Sequence, residues 1–118
     1  MISMEISNVG VDIVDIERFR KKEYNENKKF YEKIFSKSEI QYCLSFKNNS
    51  EHFAGKFAIK EAVKKSIKEN IGFKEILTNH EKSKPQIILK KKLNYRFLVS
   101  VSHEKDYAIA MVIALNNN

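Results

Sequence analysis

Phe53-Ala54-Gly55-Lys56-Phe57-Ala58-Ile59-Lys60-Glu61-Ala62-Val63-Lys64-Lys65 is the stretch from which the rest of the chain can be read. At about 100° per residue it predicts a helix with Phe53, Phe57, Glu61 and Lys65 on one i, i+4 row, flanked by Ala54, Ala58 and Ala62. Glu61 then lies inside an apolar arc, where a carboxylate must be paired, hydrogen-bonded or bound to a cation. The plainer alternative is a Glu61–Lys65 pair of the kind common on helix surfaces. Lys56, Lys60 and Lys64 form a second row, read either as a solvated face or as charges able to hold a diphosphate or an extra phosphate. The break Lys47-Asn48-Asn49-Ser50 precedes this helix, with Ser50 as its cap. The pattern runs from about Glu51 to Asn70, and Gly72 closes it.

Upstream, Ile6 to Val14 alternates as a strand, with Val9, Val11 and Ile13 on one face and Gly10, Asp12 and Val14 on the other. Asp12 is an acid on an otherwise apolar strand, a local inconsistency of the kind that marks function. A helix follows from about Asp15, with Ile16 and Phe19 on one side and Glu17, Arg18 and Arg20 around them. Ser36 and Glu39 form a capping-box signature, and the helix they open should carry Ile40, Cys43 and Leu44 inward. Downstream, Phe73 to Leu77 reads as a short strand, Thr78 to Lys84 as a polar turn, and Pro85 introduces a strand over Gln86 to Leu89. Tyr95 to Ser102 alternates again. His103-Glu104-Lys105-Asp106 then turns the chain into Tyr107 to Leu115, a strand without polar alternation that should be covered on both faces. One strand, a block of helices and an antiparallel sheet make an α+β fold in a single domain over residues 1–118.

Composition bounds the function. The chain has 118 residues, 42% hydrophobic and 31% charged, with three glycines and one proline. The single cysteine, Cys43, excludes an internal disulfide and a cysteine-based zinc site, and its apolar neighbours make it a small core residue. Met1-Ile2-Ser3-Met4-Glu5 shows no basic stretch leading into an apolar run, and Tyr107 to Leu115 is too short to span a bilayer. The chain therefore reads as cytoplasmic, without a membrane partner. Its formal charge of +7 implies anionic partners: a phosphorylated small molecule, an acidic protein or nucleic acid. No nucleic-acid motif, Walker loop or Gly-x-Gly-x-x-Gly is present.

Two carboxylates on apolar faces, a lysine one turn from one of them and a basic surface suit magnesium-assisted chemistry on a phosphate. Mg²⁺ takes one or two protein carboxylates and completes its octahedron with water and phosphate oxygens. His103, after Ser100-Val101-Ser102, reads either as a structural hairpin residue or as a phosphate contact. No nucleophile elbow accompanies it, so a Ser-His-acid triad is rejected. His52 and His80 have no evident partners and read as surface residues.

Three segments carry a family resemblance. Gly10-Val11-Asp12-Ile13-Val14-Asp15-Ile16-Glu17-Arg18-Phe19 is similar to the Gly-x-Asp motif, with an arginine six residues on, of the holo-[acyl-carrier-protein] synthases, the group I phosphopantetheinyl transferases. Residues 53–65 resemble that family's helix signature, and Val101-Ser102-His103-Glu104-Lys105-Asp106-Tyr107-Ala108-Ile109-Ala110 resembles its terminal element. Phe30 to Glu39 also matches. The resemblance spans essentially the whole chain, in order.

It implies transfer of 4′-phosphopantetheine from coenzyme A to a serine hydroxyl of an acidic apo-acyl carrier protein, leaving adenosine 3′,5′-bisphosphate. Asp12 and Glu61 would ligate Mg²⁺. Glu61, or a water it orients, would accept the serine proton, and Lys65 would stabilise the diphosphate. His103 with Lys56, Lys60 and Lys64 would hold the adenosine end, and Pro85 belongs to the same set. Arg18 would face the carrier protein, which accounts for the +7 charge without nucleic acid. A homotrimer is implied, with sites between subunits, so that Asp12 and His103 meet coenzyme A bound mainly by another subunit's Glu61 helix. Three departures stand out: Lys68-Glu69-Asn70-Ile71-Gly72 keeps one glycine of a glycine-rich segment, Lys56 and Lys33 replace arginines, and Ser83-Lys84-Pro85 replaces Gly-Lys-Pro. The competing readings are a basic nucleic-acid-binding module and a non-catalytic paralogue that binds coenzyme A or carrier protein.

Overall fold

The structure, a computed structural model, describes residues 5–81 and 84–117. Strand β1 (Ile6–Asp15) is followed by three short helices, α1 (Glu17–Arg20), α2 (Lys28–Glu32) and α3 (Lys37–Leu44), and by the long helix α4 (Asn49–Ser66). Strands β2 (Ile76–Glu81), β3 (Lys84–Leu89), β4 (Tyr95–His103) and β5 (Tyr107–Asn116) complete the chain. The fold is α+β, with β2 and β3 as a separate hairpin and a main antiparallel sheet of order β1-β5-β4. The first strand thus pairs with the last, Asp12 opposite Ala110 and Ala110 opposite Val101.

Helix α4 packs across β1, β5 and β4. The sheet makes room for it with small side chains: Ala108, Ala110 and Ala114 of β5 are buried beneath it. At Gly10 the helix comes closer than any side chain allows, because a methyl group there would lie 1.9 Å from the Ala62 carbonyl oxygen. Phe19, Tyr31, Phe35 and Phe53 fill the space between the short helices and α4, with Phe19 and Phe53 stacked at 6.4 Å and 14°.

The capping box of α3 forms as its sequence predicts, Ser36 Oγ accepting from Glu39 N and Glu39 Oε1 accepting from Ser36 N. Ile40 and Cys43 are buried as expected, whereas Leu44 is exposed. Helix α4 starts after Asn48 rather than Ser50 and stops at Ser66, because the buried Ile67 turns extended and the buried Ile71 also enters the core. Gly72 therefore closes no helix. It leads a 3₁₀ turn at Phe73–Glu75, where a short strand was expected. The expected polar turn at 78–84 is instead mostly paired strand, Thr78 opposite Ile87 and His80 opposite Pro85; Lys82 and Ser83 lie outside the described residues.

One correction reaches the site residues. Lys60 is fully buried, and its Nζ donates to Glu39 Oε1 at 2.7 Å, Ile34 O at 2.8 Å and Phe73 O at 3.0 Å. The other oxygen of Glu39 accepts from Thr78 N at 2.8 Å and Thr78 Oγ1 at 2.7 Å. Lys56 is buried beside this group and donates to Thr78 Oγ1 at 2.9 Å and Thr78 O at 3.2 Å. Lys60 is therefore an internal strut, neither part of a solvated row nor a free phosphate anchor, while Lys56 is tied to Thr78 beside it. An ammonium in the core persists only when its hydrogens are spent on oxygens, as here. Lys64 is half-buried, with its ammonium 4.2 Å from the centre of the Phe73 ring.

Burial acts to raise the Glu39 carboxyl, but the Lys60 charge and the bonds from Lys60, Ser36 and Thr78 outweigh it and hold the group below its ordinary range. Burial draws the Lys60 ammonium down, with Glu39 opposing. A depressed carboxyl stabilises the fold at neutral pH, and that contribution is lost as the pH falls below about 4.

The alternation along β5 is a second correction. Its Ala108, Ala110 and Val112 face inward, but Ile109 and Met111 stand on the outer face with Val9, Val11, Ile13 and Leu98, all exposed. Apolar residues on both sides of β5 were read as burial on both sides. Among the described residues, no element of this chain covers the outer face.

Urea unfolding separates the two classes of lysine. Lys60→Met should cost about 3–5 kcal/mol by stranding the buried Glu39 charge, whereas Lys64→Met should cost no more than about 1 kcal/mol. A lysine reserved for substrate would leave the stability of the ligand-free protein nearly unchanged.

Candidate active site

The close contact at Gly10 sets the site. Because β1 touches α4 there, Asp12, two residues on along the same face, comes up beside the C-terminal half of the helix. Lys65 Nζ donates to Asp12 Oδ1 at 3.1 Å and to the Val11 carbonyl at 3.0 Å. The Asp12 side chain is 14% exposed and that of Lys65 53%, so the pair sits at an opening rather than in the core. Glu61 lies one turn before Lys65 on the same row, half-buried, and among the described residues no hydrogen bond or ion pair engages it. A further turn back is Phe57, whose ring lies 5.1 Å from the guanidinium carbon of the exposed Arg18. Arg18 therefore borders the same row.

Asp12 stands against its own chain's α4 and meets that chain's Lys65. The two carboxylates are hard oxygen donors of the kind a small divalent cation takes. Among the described residues, no group of three or more His, Cys, Asp and Glu side chains could hold a metal by itself.

His103 lies elsewhere. At the end of β4 its Nδ1 is 3.6 Å from Glu51 Oε2, near the start of α4. Glu51 and Glu61 are ten residues apart, or about 15 Å along a helix. His103 and Glu51 line a pocket of about 360 Å³ with Tyr42, Phe46, His52, Lys56 and His80. His52 stacks on Phe46 at 3.7 Å and 17°, and His80 on Tyr42 at 4.7 Å and 9°. These two histidines are half-buried pocket walls, not the surface residues expected. Burial, with His103 and Lys56 adding to it against Glu51, holds His52 below the usual histidine range. Burial, Lys56 and His52 do the same to His80.

No spacing in the sequence joins Tyr42, His52 and His80, which come from α3, α4 and β2. The one local signal is that His52 stands four residues before Lys56, on the same helical row. Pro85, opposite His80 in the hairpin, lines a larger cleft of about 890 Å³ between β3 and β4. That cleft lies along the edge of the main sheet opposite β1. Helix α4 thus carries a carboxylate–lysine end and an aromatic–imidazole end. An elongated substrate with a reactive phosphate at one end and a ring or second phosphate at the other would match both.

The chain is similar to known proteins along almost its whole length. Residues 8–112 match the model of the 4′-phosphopantetheinyl transferase superfamily. The holo-[acyl-carrier-protein] synthase of Chlamydia felis is 40% identical over 121 aligned residues, covering 95% of this chain and 99% of that protein. The crystal structure of the Helicobacter pylori holo-[acyl-carrier-protein] synthase in complex with coenzyme A superposes with a TM-score of 0.78 at 34% identity, covering 90% of this chain and 98% of that one. The Bacillus anthracis synthase, in complex with CoA (3′,5′-ADP), gives a TM-score of 0.82 at 28% identity over 97% of this chain and 99% of that one. Carboxylates on β1 and α4, a lysine bridging the two elements, and likeness over almost the whole chain assign it: the chain belongs to the 4′-phosphopantetheinyl transferase superfamily, among the holo-[acyl-carrier-protein] synthases.

Proposed function

We propose that this transferase, acting as a single domain over residues 1–118, moves 4′-phosphopantetheine from coenzyme A to a serine hydroxyl of an acidic apo-acyl carrier protein, with Mg²⁺ held by Asp12 and Glu61. The observation that carries the reading is the Lys65 ammonium on Asp12, one helical turn from an unengaged Glu61. Two carboxylates without further protein ligands suit Mg²⁺, which keeps places for water and phosphate oxygens. When bound, the ion would neutralise charge on the diphosphate.

Glu61 has two carboxylate oxygens, so one can accept the serine proton while the other remains a ligand. The serine oxygen then bonds to the β-phosphorus of coenzyme A, and the bond from that phosphorus to the bridging oxygen breaks. Adenosine 3′,5′-bisphosphate leaves with the electron pair. Lys65, partly exposed, would turn from Asp12 to the charge that develops on the leaving phosphate. Arg18, held over Phe57 beside this row, presents a cation to the acidic carrier protein. The pocket with His103 would take the nucleotide end.

The assembly we propose is a homotrimer with each site at a subunit boundary. The outer sheet face supports it: Val11, Ile13, Ile109 and Met111 leave an apolar surface that a second copy would cover. The carrier protein and coenzyme A point to the cytoplasm. No helix among the described residues is long and apolar enough to cross a membrane.

Intact-mass measurement of an apo-acyl carrier protein with coenzyme A and Mg²⁺ tests the reaction. A phosphopantetheine-sized gain is expected, abolished by a chelator and restored by excess Mg²⁺. Glu61→Gln should slow it by at least about a hundredfold, with a similar loss for Asp12→Asn. Unchanged rates in both variants would remove the assigned roles. Light scattering checks the assembly: the wild type should show three times the chain mass, and Met111→Lys should shift it toward one.

A further inference from the structure

Helix α1 carries two arginines, and the fold uses them differently. Arg18 is exposed with its guanidinium over the Phe57 ring, and among the described residues no hydrogen bond or ion pair holds it. Arg20 is held on three sides. Its Nη2 donates to the Lys105 carbonyl at 2.6 Å, and its Nη1 lies 3.6 Å from Glu17 Oε1 and 3.8 Å from Asp106 Oδ1. The next carbonyl along, that of Asp106, accepts from Ile16 N at 2.8 Å. Two consecutive carbonyls of the turn between β4 and β5 are thus tied to α1 and to the residue before it.

The dependence runs one way. Ile16 and Phe19 are buried in the core, so α1 is anchored without the turn. The turn has no such anchor: Glu104, Lys105 and Asp106 are all exposed, and the bond from Glu104 N to Tyr107 O at 2.9 Å closes it. It contains neither glycine nor proline to preset its backbone. Exposed ion pairs such as those of Arg20 with Glu17 and Asp106 contribute little, whereas a hydrogen bond from a charged donor is stronger than a neutral one. The bond to the Lys105 carbonyl is therefore the side-chain tie that matters.

What the turn delivers is His103. It is the last paired residue of β4, opposite Ala108 at the mouth of the turn, and its Nδ1 lies 3.6 Å from Glu51 Oε2. Arg20 and Glu51 border one hollow of about 150 Å³ with Lys47, Asn48, Asn49 and Ser50. Arg20, the turn and His103 thus meet at one corner, where α4 begins. Resting on the reading above, in which the His103 pocket takes the nucleotide end, we infer that Arg20 is a positioning residue for that end. It pins the turn so that the His103 imidazole is in place before the ligand arrives, and it does not contact the carrier protein. A side chain fixed in advance loses less freedom on binding. Two arginines two residues apart then serve different substrates, Arg18 the carrier protein and Arg20 the nucleotide.

Calorimetry of the full chain tests this, with adenosine 3′,5′-bisphosphate and apo-acyl carrier protein titrated separately. Arg20→Met keeps the aliphatic stem and removes the donors, while Ile16 and Phe19 still anchor the helix. It should weaken nucleotide binding roughly three- to tenfold, the effect of one hydrogen bond. Carrier-protein affinity should stay within about twofold at about 0.15 M salt, where a lost surface charge is screened. Arg18→Met should do the reverse. A double-mutant cycle identifies the route: in a His103→Ala background, Arg20→Met should cause no further loss of nucleotide affinity. Steady-state rates should follow, with KM for coenzyme A raised and kcat close to that of the wild type. A fall in carrier-protein affinity with nucleotide binding intact would overturn the inference and make Arg20 a second carrier contact. Losses that add in the double variant would overturn it too, since Arg20 would then act without His103. If the wild type transfers phosphopantetheine while Arg20→Met binds nucleotide as tightly, only this inference falls. If the wild type binds no nucleotide and transfers nothing, the functional reading falls with it.

Discussion

Lys60 and Glu39 meet inside the protein, and the orientation of the long helix depends on them. The ammonium ties Glu39 of α3 to backbone carbonyls at Ile34 and Phe73, while the carboxylate reaches on to Thr78 of β2. One ion pair thus joins α4, α3, the turn before α3, the turn after α4 and the second hairpin. Such a pair is expensive to bury, and it is tolerable because almost every hydrogen and lone pair has a partner. It also fixes rotation. Lys60 and Glu61 are about 100° apart on the helix, so holding Lys60 in the interior turns Glu61 toward the β1 side.

The second constraint is the absent side chain at Gly10. Strand and helix touch there by backbone, which brings the Asp12 carboxylate within reach of Lys65. The two constraints cooperate: one sets how α4 is rotated and the other how closely it lies to β1. Asp12, Glu61 and Lys65 are thus placed by rigid elements rather than by loops.

The same helix also forms part of a second pocket. Its first turns carry Glu51, His52 and Lys56 to the pocket where His80 and His103 arrive from β2 and β4. The basic charge is thus divided. Lys60 is held in the interior, Lys56 at the pocket wall, Lys65 on Asp12, and Arg18 at the surface over Phe57. Counting lysines along the sequence cannot make that division.

Local periodicity and capping were legible from residues alone. The alternation of β1, the capping box at Ser36 and Glu39, the row from Phe53 to Lys65 and the β4–β5 hairpin all follow from contacts between near neighbours. The marked positions Asp12 and Glu61 were legible too, as acids where apolar residues belong. Periodicity fixes angles between residues on one element, but not which side meets the interior. The row of Lys56 and Lys60 is as regular as that of Glu61 and Lys65, and only Glu39 and Thr78, from other elements, decide that it turns inward. The same holds for the end of α4, set by Ile67 and Ile71 finding the core, and for the walls of the histidine pocket, which converge from α3, α4, β2 and β4. The sequence determined the elements and the carboxylates; tertiary structure decided which lysines are spent inside and which side chains share a site, because burial and pairing are settled between segments far apart in the chain.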